Sequence, residues 1–116
     1  MQNFMVNGYP WNIKFVEPYS PMLMDRTGKY TKATTDPISL TIYICRGLDP
    51  YMLKKVLIHE LGHCYIFSYG LINDIHKAVK PEYWLEAEEW ICNFIANYGP
   101  YIFDNYVEIE NHQIGR

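Results

Sequence analysis

Residues 49–70 read DPYMLKKVLIHELGHCYIFSYG, and the arrangement of the rest of the chain follows from this stretch. Asp49 is an acidic N-cap. Pro50 suits the first helical turn, where a missing N–H leaves nothing unpaired. Tyr69-Gly70 closes the segment, so the pattern predicts a helix from Pro50 to about Ser68. Its apolar residues, from Met52 and Leu53 through Val56, Leu57, Ile58 and Leu61 to Cys64, Ile66 and Phe67, lie on nearly every side. A helix of that kind is buried in the middle of its domain.

Into this apolar helix the sequence sets His59-Glu60-Leu61-Gly62-His63. Helical residues four apart are one turn apart and rotated by about 40°, so the two imidazoles project side by side and can bite one metal ion. Glu60 is turned about 100° from His59, beside the ion rather than on it, where a general base must sit to hold a metal-activated water. The bland alternative is a pair of core histidines bonded to backbone. Against it stands the cost of burying two imidazoles and a carboxylate unsatisfied, roughly several kcal/mol. Gly62 costs about 1 kcal/mol relative to alanine inside a helix, which is explained if a neighbouring strand or helix approaches closely there.

Outward from the helix, Leu40, Ile42 and Ile44 alternate with Thr41, Tyr43 and Cys45 in the strongest strand pattern of the chain. Trp11, Ile13 and Phe15 alternate with Asn12 and Lys14 in another, and Tyr30–Thr35 alternates more weakly. Residues 1–10 read as an irregular start, with turn signals at Asn7-Gly8 and Tyr9-Pro10, and Met22–Met24 as a short extended piece. Beyond Gly70, residues 71–80 suggest a short helix. Pro81 opens a further helix over about 82–98, closed by Gly99-Pro100, and the tail from Tyr101 adds at most a short helix before fraying. The sum is one α+β domain spanning 1–116.

Composition bounds the function. The 116 residues are 49% hydrophobic and 20% charged, enough for one modest core and too few for two. A net charge of -3 disfavours nucleic acid as a partner, since phosphate backbones are gripped by basic faces. No stretch approaches the roughly 18–20 apolar residues of a membrane span. Residues 1–13 carry no charge but lack the basic start and small-residue site of a secretion signal. Three cysteines (Cys45, Cys64 and Cys92) are an odd number and read as free thiols of a reducing, cytoplasmic compartment. The 11 tyrosines suit a small domain with a grooved surface, and Tyr43, Tyr65 or Tyr98 could stabilise an oxyanion. Lys54 and Lys55 read as a solvated helix edge rather than a substrate clamp.

A catalytic zinc takes three protein ligands and keeps one position open, so a third must come from outside the motif. His76, His112 and the glutamates of the helix after Pro81 are available. On that helix Trp84, Ala87, Ile91, Ile95 and Tyr98 share one face; Glu88 falls within it, Glu89 at its edge, and Glu82 and Glu86 on the solvated side. A carboxylate on an apolar face needs a partner, which places Glu88 first, Glu89 as the alternative and His76 behind them. Cys64, next to His63 but about 100° away, cannot easily share its ion, and the cysteines read as buried structural thiols.

Taken together, SLTIYI, LDPYMLKKVLIHELGHCYIFSYG and EEWICNFIANYG resemble the small, phage-associated zinc metallopeptidases of the ImmA/IrrE type over about residues 34–99. Members carry a glutamate followed six residues later by phenylalanine, as Glu88 and Phe94 stand here. The resemblance implies a zincin-like fold: a small, twisted, mostly antiparallel sheet packed on the active-site helix and the ligand-bearing helix. It implies zinc on His59, His63 and Glu88, and Glu60 as general base of a peptidase acting on a protein or peptide in a bacterial or phage-infected cell. It further implies that Leu40–Cys45 edges the cleft and pairs with an extended substrate. Cys92 departs from the asparagine common at its position, leaving Asn93 as a possible substitute. Two other functions fit the residues: a zinc-stapled binding module without catalysis, and a SprT-like peptidase with His76 as third ligand. The sequence leaves the oligomeric state open.

Overall fold

The computed structural model describes residues 2–113. The fold is α+β, a four-stranded mixed sheet with three helices. Strands β1 (Gln2–Val6) and β2 (Tyr9–Val16) form a hairpin. Asn7 and Gly8, both at positive φ (48° and 82°), make its two-residue turn, the geometry that matches strand twist. Residues 2–6 are therefore a strand and not irregular. β3 (Ala33–Asp36) and β4 (Thr41–Cys45) follow. Between β2 and β3, Pro21–Leu23 forms a 3-10 turn where an extended piece was expected, although Met24 does bridge to Tyr30.

Strand order is β1-β2-β4-β3. The outer pairs are antiparallel and the central pair, β2 with β4, is parallel, so the sheet is mixed rather than mostly antiparallel. This order also corrects the expected role of Leu40–Cys45. β4 is flanked on both sides and has no free edge; the edge strand next to it is β3.

α1 runs Pro50–Ser68, and the Asp49 carboxylate accepts from Met52 N–H at 2.8 Å, as an N-cap should. α2 spans Ile72–Ala78 and α3 spans Trp84–Gln113. α1 is the middle layer. One side (Leu53, Val56, Leu57, Leu61, Cys64) packs on the sheet against Trp11, Ile13, Ile42 and Ile44. The other meets α3: Ile66 packs with Cys92 and with Ile75 of α2. The contact is close because residue 62 is glycine; a Cβ there would lie 3.0 Å from Cys92 Sγ. The lower end of α1 is pinned to the sheet by Trp11, whose indole N–H donates to Ser68 Oγ at 2.9 Å.

α3 does not stop at Gly99-Pro100. It continues through Pro100 to Gln113. Proline removes one helical hydrogen bond and normally breaks the helix. Here Ile95, Gly99, Pro100 and Phe103 of the continuing helix line a shallow hollow together with Lys54 and Ile58 of α1.

Candidate metal centre

α1 delivers His59, Glu60 and His63 on adjacent turns, and the antiparallel contact with α3 brings Glu88 and Glu89 opposite them. The Nε2 atoms of the two histidines face each other at 3.2 Å. Glu89 straddles the pair, with Oε1 3.1 Å from His59 Nε2 and Oε2 3.0 Å from His63 Nε2. Glu88 lies on the far side of His63, where Nδ1–H donates to its Oε2 at 2.6 Å. Glu60 is the most buried of the acids; its Oε2 stands 3.9 Å from His59 Nε2, and its Oε1 accepts from Thr35 Oγ1 at 2.7 Å.

These contacts sort the expected residues. His59, His63 and Glu89 offer donor atoms within 4.8 Å of one another and could together hold a metal ion; among the described residues no fourth side chain joins this group. Glu88 is in the site but faces the other nitrogen of His63, the place from which a carboxylate orients a metal-ligating imidazole and fixes its tautomer. His76 is elsewhere, with its ring stacked on Trp84 at 3.6 Å between centroids. Asn93 lines the cleft without a hydrogen bond to the site, whereas the Cys92 thiol lies against His63.

Donor chemistry and spacing fit a cation. Two nitrogens facing each other at 3.2 Å can share only one proton, and a carboxylate closes the third side. A tetrahedral ion with bonds of about 2.0–2.1 Å holds its donors about 3.3 Å apart, close to the 3.2 Å between the two Nε2 atoms. Protonation reports the same electrostatic need. Burial opposes charge on His63, but hydrogen bonds with Cys92, Glu88 and Glu89 outweigh it and push its pKa up to about 12. The hydrogen bonds from His59 and His63 hold the Glu89 carboxyl far below the usual carboxylate range.

Glu60 behaves differently from its neighbours. Burial pushes its carboxyl up, and the bond from Thr35 and the nearby histidines only partly offset this. Cys64 is likewise pushed up to about 12, first by burial and then by the charge of Glu60. Burial raises Cys92 as well. All three cysteines are free, and these two are inert, buried thiols.

The site opens into a cleft of about 950 Å³ between β3, α1 and α3. Ala33, Thr34 and Thr35 of the edge strand form one wall. None of Tyr43, Tyr65 and Tyr98 lines it. Thr35 and Lys55 do, and neither role was legible in the sequence. Thr35 belongs to a weakly alternating strand, and Lys55 looks like any solvated lysine until the cleft forms beside it. No protein-family model and no curated protein matches this chain. No helix among the described residues is long and apolar enough to cross a membrane.

Proposed function

We propose that this chain is a zincin-like, zinc-dependent endopeptidase, with His59, His63 and Glu89 as the metal ligands and Glu60 as general base. The observation that carries the reading is the convergence of two Nε2 atoms 3.2 Å apart and the Glu89 carboxylate, which sets one oxygen on each nitrogen at 3.0–3.1 Å, beside a second, buried carboxylate. Such a cation, when bound, supplies Lewis acidity toward a water and a carbonyl oxygen. Glu88 keeps the proton of His63 on Nδ1, which leaves the Nε2 lone pair free for the ion.

Glu60 has one oxygen held by Thr35 and the other turned to the donor atoms. That free oxygen, Oε2, takes the proton from the attacking water and later delivers it to the leaving amine. The upward shift of its pKa suits a group that must both accept and return a proton near neutrality. The edge strand β3 beside the cleft supports an extended peptide as substrate, since main-chain groups of an edge can pair with an added strand. Three ligands rather than four favour catalysis over a structural staple. The stacking of His76 on Trp84 favours a glutamate over a SprT-like ligand set. The ImmA/IrrE resemblance agrees with this class but puts the ligand at Glu88, one residue earlier than the geometry favours.

The reading is tested by digesting a proteome-derived peptide library with zinc-loaded protein and sequencing the new termini. Wild type should cut, and Glu60→Gln should retain zinc yet cut nothing. Equal cleavage by Glu60→Gln would remove the general base and the mechanism with it.

A further inference from the structure

The cleft is not uniform along its length. α1 lines it with a single stripe, in which Met52, Lys55 and Val56 precede His59, and Ile66 and Phe67 follow His63. The Phe67 end is apolar, completed by Ile72 and by Leu85, one turn before Glu89 on α3. The Met52 end is cationic. Lys55 stands one turn before His59 on the same face, and Lys32 and Arg26 line the cleft from the sheet side. These three belong to the same end. Lys32 O accepts from Cys45 N–H, and Cys45 leads through residues 46–49 into the first turn of α1.

Among the described residues, none of Arg26, Lys32 and Lys55 forms an ion pair or a side-chain hydrogen bond. The nearby Asp25 is occupied by its own turn, accepting from Thr27 N–H, Thr27 Oγ1 and Lys29 N–H. A chain of net charge -3 therefore gathers three unpaired cations and one carboxylate, Asp25, at one end of the groove that holds its candidate metal site, leaving that end net positive.

We infer that this end is a specificity subsite for an acidic side chain, so that the peptidase takes peptides bearing Asp or Glu a short distance from the scissile bond. The inference rests on the proposed hydrolytic reading and adds the substrate class. One helical turn from His59 to Lys55 is about 6 Å, which an extended peptide covers in about two residues. The acid thus sits about two residues from the bond cut. A peptide added antiparallel to β3 places it on the C-terminal side of that bond, and the opposite end of the cleft takes an apolar residue. A continuous polyanion fits less well, because Glu60, Glu88 and Glu89 line the cleft next to the cations.

Adjacent lysines supply a charge-matched test. Lys55 lines the cleft, whereas Lys54 lines the separate hollow against Phe103 and Asp104. Binding is read by fluorescence anisotropy on zinc-loaded Glu60→Gln protein, using two degenerate decapeptide pools whose charged positions are all Asp/Glu or all Lys/Arg. The acidic pool should bind about tenfold more tightly, a difference that added salt shrinks. K32E/K55E should reverse the preference, K32Q/K55Q should abolish it, and K54E should leave it intact. Circular dichroism and zinc content confirm that each variant is folded. Equal binding of the pools, an effect of K54E as large as that of K32E/K55E, or tighter binding of a single-stranded oligonucleotide than of the acidic pool would overturn the subsite. Loss of peptide-library cleavage with the binding preference intact would instead count against hydrolysis alone.

Discussion

Replacing Glu89 and Glu88 separately with alanine distinguishes ligand from support, and the structure sets the size of each effect. Glu89 touches both Nε2 atoms, at 3.1 and 3.0 Å, so its removal deletes one of the three proposed ligands. Structural zinc sites with four ligands are worth about 10–16 kcal/mol, or about 3–4 kcal/mol per ligand, which corresponds to roughly 10²–10³ in affinity. Glu88 touches only Nδ1 of His63, at 2.6 Å, and outer carboxylates of this kind are worth about 10–100-fold. Glu89→Ala should therefore weaken zinc by two to three orders of magnitude (roughly 10²–10³) and Glu88→Ala by no more than about 10². Glu88→Gln, which can still accept from Nδ1–H, should lie nearest wild type. Competition against a chromophoric zinc chelator gives all three constants. If Glu88→Ala loses as much affinity as Glu89→Ala, or more, the ligand assignment fails and the resemblance, which favours Glu88, had the better residue.

Thr35→Val removes the donor that steadies ionised Glu60. The acid limb of the kcat/KM profile should move up by about one to two pH units, since a bond to a charged group is worth roughly 1.5–3 kcal/mol; an unmoved limb would show that Glu60 does not govern it. Gly62→Ala gains about 1 kcal/mol of helix propensity but drives a Cβ to 3.0 Å from Cys92 Sγ, an overpacking that costs about 1–3 kcal/mol. Urea denaturation should register a net loss of about 1 kcal/mol, relieved when Cys92→Ala is added; no relief would refute the close approach as its cause. Metal-free protein should lose stability with rising pH. The His63 pKa is raised from its ordinary 6.5, so that contribution is complete below 6.5 and declines as pH climbs toward the folded value. Zinc-loaded protein should show the opposite trend near neutrality, because binding requires deprotonated imidazoles. Urea midpoints at about pH 6 and about pH 9, with chelator or with zinc, decide this, and parallel trends would contradict it.

The part of the fold built from local signals was legible. Asp49, Pro50 and Gly70 bracket α1, which runs Pro50–Ser68 as expected, and the i, i+4 geometry of His59 and His63 is a property of the helix itself. What escaped the sequence depended on tertiary contacts. The Asn7-Gly8 turn is visible, but that residues 2–6 pair across it depends on a sheet completed by β4, far along the chain. Pro100 carries a stop signal, yet α3 continues through it to Gln113. Glu88 and Glu89 are neighbours on α3 and both reach the histidines, Glu88 at His63 Nδ1 and Glu89 at the two Nε2 atoms; helix periodicity brought both acids to the site but carried no information on which nitrogen each would face. α3 meets Gly62 at Cys92, which is fully buried and one turn after Glu88, so Glu88 lies on the contact stripe that the periodicity suggested, with Ala87 and Ile91 beside it.

The donors of the centre sit 30 residues apart along the chain, on two helices that would separate on unfolding. Any ion they capture binds the native state and is released by the denatured one. Mass action then makes the lifetime of the protein a function of its surroundings. At a free-ion level about a hundred times the dissociation constant the native state gains about 2.7 kcal/mol, and under ionic starvation it gains nothing. Withholding such an ion would thus shift the balance toward the denatured chain by that same amount.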